Sequence, residues 1–202
     1  MEEKLAKVIS VVFQPLLIPT FSLLMLFSLN SYISMSIPFQ AKRMLAWIIF
    51  VTTFILPLLF ILILYKRGFI KTLNMDEKEE RIFPLVITGI FYFLAYYIVR
   101  QTQLDTIYQR MFLGSAIIII VSLMVSFYWK ISMHMIAVGG LFGALIGIHE
   151  IAYVDLTLYL VATTFVCGLV GFARLKLKAH TPAQVYAGFF SGAILMLGMF
   201  VM

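Results

Sequence analysis

Three short polar segments of this apolar chain contain side chains that could carry out phosphoryl transfer. They are NMDEKEERIFP at 74–84, WKISMH at 129–134 and ARLKLKAHTPAQ at 173–184. Lysine and arginine can hold a phosphate, one imidazole can attack phosphorus, and a second imidazole can protonate the leaving oxygen. The alternative is that these are ordinary charges at helix ends, with neutral histidines hydrogen-bonded to the backbone.

The rest of the chain has the composition of a membrane protein. Of its 202 residues, 63% are hydrophobic and 12% are charged, and its mean hydropathy is +1.05. This leaves too little polar surface to cover a water-soluble protein. Long apolar runs satisfy their backbone groups inside a bilayer as helices. The sequence therefore predicts an all-α, polytopic transmembrane helical bundle, with residues 1–202 forming a single integral membrane domain.

Hydrophobic runs long enough to cross a membrane number seven. Six spans plus a re-entrant segment is the alternative, because the third run is short and only Asp155 separates the fifth from the sixth. Each polar segment lies two crossings from the next, so parity predicts that all three face the same side. The predicted spans are 8–30, 44–65, 83–99, 110–128, 135–154, 156–172 and 183–202.

The basic residues favour one orientation in the membrane. For seven spans, eleven Lys and Arg fall on the N-terminal side and four on the other. Short basic loops stay in the cytoplasm, so we expect a retained first span, a cytoplasmic N-terminus and cytoplasmic polar loops, as in a bacterial inner membrane protein. Because these cations stand at the ends of apolar runs, they suggest membrane lipids as partners rather than nucleic acid.

The third polar segment resembles the last motif of the type 2 phosphatidic acid phosphatase superfamily, S-R-x5-H-x3-D. Arg174, His180 and Gln184 stand at the arginine, histidine and aspartate positions of that motif. The segment WKISMH stands where the family has P-S-G-H, with Ser132 and His134 on the serine and histidine positions. The family's first motif, K-x6-R-P, is matched loosely by Lys78 and Arg81, whose spacing is shorter.

The resemblance implies a metal-independent lipid phosphatase that requires no cofactor. It implies that His180 is the nucleophile, that His134 is the general acid, and that Arg174 and Ser132 hold phosphate oxygens. The expected substrate is a phosphorylated lipid such as phosphatidate, a phosphatidylglycerol phosphate or a polyprenyl phosphate. The remaining expected phosphate ligands are Lys78, Arg81 and Lys130.

Two departures from the motifs keep a second function open. Met133 replaces the glycine of P-S-G-H, and Gln184 replaces a carboxylate that would neutralise the charge on the nucleophilic ring. A catalytically inactive protein that binds or transports lipid phosphates on the same scaffold is therefore the alternative. Gln184 also fits a helix capping box that begins at Thr181. Lys130 could equally be an interfacial anchor beside Trp129.

A different enzyme class is suggested by the acidic residues of the first polar segment. Carboxylates are the ligands that Mg²⁺ prefers, and membrane prenyltransferases hold magnesium diphosphate on an aspartate-rich loop. This alternative would need a second acidic cluster, and the later acids are scattered. The residues concerned are Asn74, Asp76, Glu79 and Glu80.

Glycines spaced by four residues predict helix packing in two of the runs. The fifth run carries Gly139, Gly143 and Gly147, and the last carries Gly188 and Gly192. Small residues at this spacing let two helix backbones approach closely within a membrane. We expect both series to be packing seams.

Overall fold

The computed structural model describes residues 1–72, 75, 77 and 79–201. Across these residues the regular secondary structure is helical and no strand is present, which confirms the all-α prediction. The described part of the chain contains seven segments long and apolar enough to cross a membrane. The chain is therefore an integral membrane protein with seven spans rather than six. The spans are Glu2–Ser28, Phe39–Lys66, Glu79–Arg100, Thr106–Ser126, Met133–Ala152, Thr157–Lys176 and Pro182–Val201.

Nine of the ten α-helices in the described part of the chain build these spans. The first span joins α1 and α2, the second joins α4 and α5 through a π-helical turn at Val51–Ile55, and α3 lies between the two spans. Helices α6 to α10 each cross once. Their bounds are α1 Glu2–Val12, α2 Ile18–Ser28, α3 Tyr32–Met35, α4 Phe39–Phe50, α5 Leu56–Lys66, α6 Ile82–Arg100, α7 Thr106–Ser126, α8 Met133–Ala152, α9 Thr157–Lys176 and α10 Pro182–Val201.

The first span is interrupted between α1 and α2 because prolines cannot continue a helix. Pro15 begins a 3₁₀ turn, Pro15–Leu17, and Pro19 lies in the first turn of α2. Each proline lacks the backbone N–H that an uninterrupted helix would use. The Gln14 side chain accepts a hydrogen bond from the backbone N–H of Leu16 at 2.9 Å. The Gln14 side chain therefore caps the break between the two helices. The break lies beside the cavity described below.

The two glycine series pack against each other and confirm the predicted seams. A Cβ on Gly139 or Gly143 would meet the α10 backbone, and a Cβ on Gly192 would meet the α8 backbone. A Cβ on Gly188 would lie 2.9 Å from the carbonyl oxygen of Ser132. Helices α8 and α10 thus pack with their backbones in close contact. This seam brings the start of α8 next to the start of α10.

The structure places the three polar segments at the same end of the bundle. Arg81 lies in the 3₁₀ turn Glu79–Arg81 that leads into α6, and its Nη1 donates to the carbonyl oxygen of Ile131 at 2.9 Å. The backbone N–H of Ser132 donates to the carbonyl oxygen of Gln184 at 3.4 Å. Direct hydrogen bonds therefore link the first segment to the second and the second to the third.

Candidate functional site

A cavity of about 180 Å³ lies where the polar segments meet the apolar interior of the bundle. Arg81, His134, Arg174 and His180 line one end of it. Most of the other lining residues are apolar side chains of α2, α6, α7, α8 and α10. The cavity therefore joins a cationic, imidazole-lined end to a hydrophobic interior.

Each of the four polar side chains is held at the end of a helix. Arg81 precedes α6, His134 lies in the first turn of α8, and Arg174 lies in the last turn of α9. His180 lies in the short loop between α9 and α10. Because helix ends are fixed by the packing of their helices, the bundle positions all four side chains without needing a long loop.

The Gln184 side chain orients the His180 ring. Gln184 Oε1 accepts from the backbone N–H of Thr181 at 3.2 Å, and the backbone N–H of Gln184 donates to Thr181 Oγ1 at 3.4 Å. This capping box confirms the predicted helix start. His180 Nδ1 lies 3.0 Å from the same Oε1. Since an amide oxygen only accepts, Nδ1 carries the proton, and Nε2 of the neutral ring keeps its lone pair.

The surroundings of His180 favour its neutral form. The side chain is buried, with 8% of its surface exposed. Burial lowers the pKa of His180, the hydrogen bond that the ring donates to Gln184 raises it, and the nearby cations Arg174, Arg81 and Lys130 lower it; the resulting pKa is about 4. At neutral pH the ring is therefore uncharged, with Nε2 unprotonated.

The first span holds the second histidine through a residue that the motifs did not predict. The carbonyl oxygen of Ser10, in α1, lies 3.0 Å from His134 Nε2. A carbonyl oxygen only accepts, so Nε2 carries the proton and Nδ1 is the remaining acceptor of the neutral ring. The sequence feature that could have pointed to Ser10 is its polar side chain within an apolar span, because such residues commonly have a functional partner.

The Arg174 guanidinium has a hydrogen-bond partner at Nη1 but none at Nε among the described residues. Its Nη1 donates to Ser10 Oγ at 3.3 Å. Its Nε is buried and has no hydrogen-bond partner among the described residues. An unpaired buried guanidinium donor is costly. A phosphate oxygen would satisfy it.

Arg81 is held by backbone carbonyl oxygens. Its Nε donates to Met75 at 3.1 Å and its Nη1 to Ile131 at 2.9 Å. The side chain is 6% exposed and lines the cavity. These two carbonyl acceptors fix the plane of the guanidinium. Arg81 can therefore present a positive charge in a defined orientation.

The other predicted phosphate ligands stand in different places. Ser132 is fully buried and its Oγ has no partner in the described part of the chain, but it does not line the cavity. Lys130 is half-buried and close enough to lower the pKa of His180. Lys78 lies outside the described residues.

The acidic residues of the first polar segment that the structure describes do not form a cluster. Glu79 is exposed, while Glu80 is buried and accepts from the backbone N–H of Lys71 at 2.8 Å. Asn74 and Asp76 lie outside the described residues. In the part of the chain that the structure describes, no group of three or more His, Cys, Asp or Glu side chains could hold a metal ion.

Comparison with protein-family models, with curated proteins and with solved structures gives no match for this chain.

Proposed function

We propose that this chain is a membrane lipid phosphatase of the type 2 phosphatidic acid phosphatase kind, acting through a phosphohistidine at His180. One observation carries the proposal: two histidines and two arginines line one end of a cavity that is otherwise mainly apolar. A lipid phosphate has this same division between an anionic head group and a hydrocarbon tail. Phosphatidate, a phosphatidylglycerol phosphate or a polyprenyl phosphate would suit it.

The phosphate would bind between the two guanidinium groups. Arg174 offers a buried Nε that has no partner among the described residues, and Arg81 offers a guanidinium that two backbone carbonyl oxygens hold in place beside the cavity. Preorganised cations of this kind stabilise the charge that spreads over the phosphoryl oxygens in the transition state. Lys130 would add positive charge at the edge of the site.

The reaction would proceed in two displacements on phosphorus. The lone pair of His180 Nε2 forms a P–N bond while the P–O bond to the lipid breaks. His134 Nδ1, which first takes a proton from the monoanionic phosphate of the substrate, gives that proton to the departing oxygen. Water, giving a proton back to His134, then attacks phosphorus and breaks the P–N bond, releasing inorganic phosphate and neutral His180. Because His134 Nε2–H is bound to Ser10, the transferred proton would be carried on Nδ1.

The orientation and location are part of the proposal. The charge count favours a cytoplasmic N-terminus and cytoplasmic polar segments, in a bacterial inner membrane. A reporter fused after Met202 would then lie on the opposite side, because seven crossings separate the ends of the chain. Reporter activity in the cytoplasm would contradict this orientation.

One observation favours the alternative of a lipid-phosphate binding or transport protein without catalysis. The partner of His180 Nδ1 is the neutral amide of Gln184, which can orient the ring but cannot neutralise the positive charge that forms on phosphorylation. Such a protein would keep the phosphate site, and its function would depend on Arg174 but not on His180.

The decisive experiment is phosphate release by the purified protein in detergent with EDTA, from a panel of lipid phosphates. His180→Asn is the test variant and His149→Asn the matched control, because His149 Nδ1 binds the Val154 carbonyl oxygen at 2.8 Å at the opposite end of α8. We expect release to survive EDTA and the control substitution and to be lost with His180→Asn. Binding without release would favour the non-catalytic alternative.

A further inference from the structure

The apolar part of the cavity extends well into the membrane. Along α8 its lining runs from His134 to Ala144, ten residues and about 15 Å at the rise of an α-helix. Along α6 it runs from Pro84 to Tyr92, about 12 Å. The hydrocarbon core of a bilayer is about 30 Å thick. The cavity is therefore a channel about half as deep as the membrane, with the phosphate site at one end.

The hydroxyl groups along this channel are already satisfied. Thr88 Oγ1 donates to the carbonyl oxygen of Pro84 at 2.7 Å, and Ser115 Oγ donates to that of Met111 at 2.9 Å. Tyr92 OH donates to the carbonyl oxygen of Pro15 at 3.3 Å. A hydrocarbon chain in the channel would leave none of these donors unpaired, so an apolar occupant meets no polar penalty.

The far end of the channel is closed by Met111 of α7, Ala144 of α8 and Met196 of α10. These three side chains are buried and belong to one hydrophobic cluster. Met196 packs tightly on α7, since a Cβ on Gly114 would lie 2.6 Å from its Sδ. We call these three residues the floor.

The channel is narrow as well as deep. Its volume is about 180 Å³, little more than that of an engineered cavity of about 150 Å³ that holds one benzene ring. Spread over a depth of about 15 Å, this volume suits one extended hydrocarbon chain and leaves no space for a second beside it.

Resting on the proposed function, we propose that the channel takes one hydrocarbon chain of the lipid phosphate and that the floor limits its length. By comparison with the cavity that holds one benzene ring, a volume of about 180 Å³ holds about seven carbons of a single chain. Any second chain of the lipid stays in the bilayer. Chain selectivity therefore depends on residues far from the phosphate, whereas head-group binding depends on Arg81 and Arg174.

The test uses n-alkylphosphonates of increasing length, which carry the anionic head group but have no ester to hydrolyse. Binding is measured by the shift in melting temperature of the protein at a fixed mole fraction of detergent, with the matching n-alkanols as the control for micelle partitioning. Each methylene buried in the channel should raise affinity about fourfold. The increase should stop at about seven carbons, where the chain fills the channel down to the floor.

Two variants should move this limit in opposite directions. Ala144→Leu fills the floor and should lower the limiting length, whereas Met196→Ala opens it and should raise the limit. Ala152→Leu is the matched control, because Ala152 is buried on the same helix but does not line the cavity. If Ala144→Leu fails to fold, Met196→Ala still tests the proposal. An unchanged limit in the folded floor variants would overturn it.

The outcome separates this inference from the proposed reaction. A floor-dependent length limit in a protein that releases no phosphate would support the channel and count against hydrolysis. Hydrolysis of lipid phosphates with no length limit would support the proposed reaction and count against the channel. A two-chain phosphonate that gains affinity from both chains would contradict the single-chain channel, and absence of binding by every phosphonate would overturn both proposals.

Discussion

Replacing Gln184 with glutamate should convert a neutral support of the His180 ring into a charged one. The substitution keeps the length of the side chain, so its carboxylate can still accept from Thr181 and from His180 Nδ1, which now lie 3.2 Å and 3.0 Å from Oε1. The new charge would also lie in the first turn of α10, where an anion is favoured by the helix N-terminus.

The expected size follows from the hydrogen bond to Nδ1. A neutral hydrogen bond contributes about 0.5 to 1.5 kcal/mol and one to a charged group about 1.5 to 3 kcal/mol. The difference, about 1.4 kcal/mol, would raise the pKa of His180 by about one unit from its present value of about 4. The same energy applied to the ring charge that forms on phosphorylation would raise kcat about tenfold. KM should also rise, because a carboxylate beside the site repels phosphate.

Two measurements check this prediction. An NMR titration of labelled histidine in detergent reports the pKa of His180 whether or not the protein is active. Phosphate release at saturating substrate reports kcat. Gln184→Met, which has a similar length and cannot hold the Nδ1 proton, should lower kcat and remove the fixed tautomer. A pKa in Gln184→Glu equal to that of the native chain would refute the reasoning.

Three further predictions follow from the same geometry. Because the pKa of His180 is lowered to about 4, between about pH 6.5 and pH 4 this histidine is protonated in the unfolded chain but not in the folded one. The free energy of unfolding should therefore fall by up to about 3 kcal/mol as the pH drops through this window. His180→Gln should flatten that part of the profile of melting temperature against pH. Arg174→Lys should raise KM for lipid phosphate at least about tenfold by losing a planar set of donors, whereas Arg43→Lys, outside the site cavity, should leave kinetics unchanged. Gly143→Ala should cost about 1 to 3 kcal/mol in detergent unfolding because its Cβ meets the α10 backbone, while Gly168→Ala, whose Cβ meets nothing within 4 Å, should be neutral or stabilising.

The large features of the fold could be predicted from the sequence because they depend on simple quantities. The count of spans follows from the length of apolar runs, and the structure favours seven over six because each of the seven spanning segments in the described residues has at least 20 residues. The glycine seams follow from spacing alone. The predicted bounds were less accurate at the first two spans, which begin six and five residues earlier, at Glu2 and Phe39, because helices continue past the apolar run.

The finer features of the site could not be predicted because they depend on contacts between distant segments. Ser10 lies 124 residues before His134 and 164 before Arg174, yet it binds both. Its hydrogen bond to His134 is made by a backbone carbonyl, which any residue type could provide. No motif can record such a partner. The loosely matched first motif is a similar case, since the place of Arg81 is set by the carbonyl oxygens of Met75 and Ile131.

The two histidines show why residue type alone does not assign the chemical roles. In the motifs both positions are simply histidine. In the structure His180 donates its Nδ1 proton to Gln184, whereas His134 donates its Nε2 proton to the Ser10 carbonyl oxygen. Opposite nitrogens are therefore free in the two rings. Only His180 keeps an unprotonated Nε2, the nitrogen that extends furthest from its backbone, so under the proposed function it is the ring placed to attack phosphorus. Exchanging the roles proposed for the two histidines would require both rings to give up their present partners, so under the proposed function the first span, through Ser10, determines which histidine is the nucleophile.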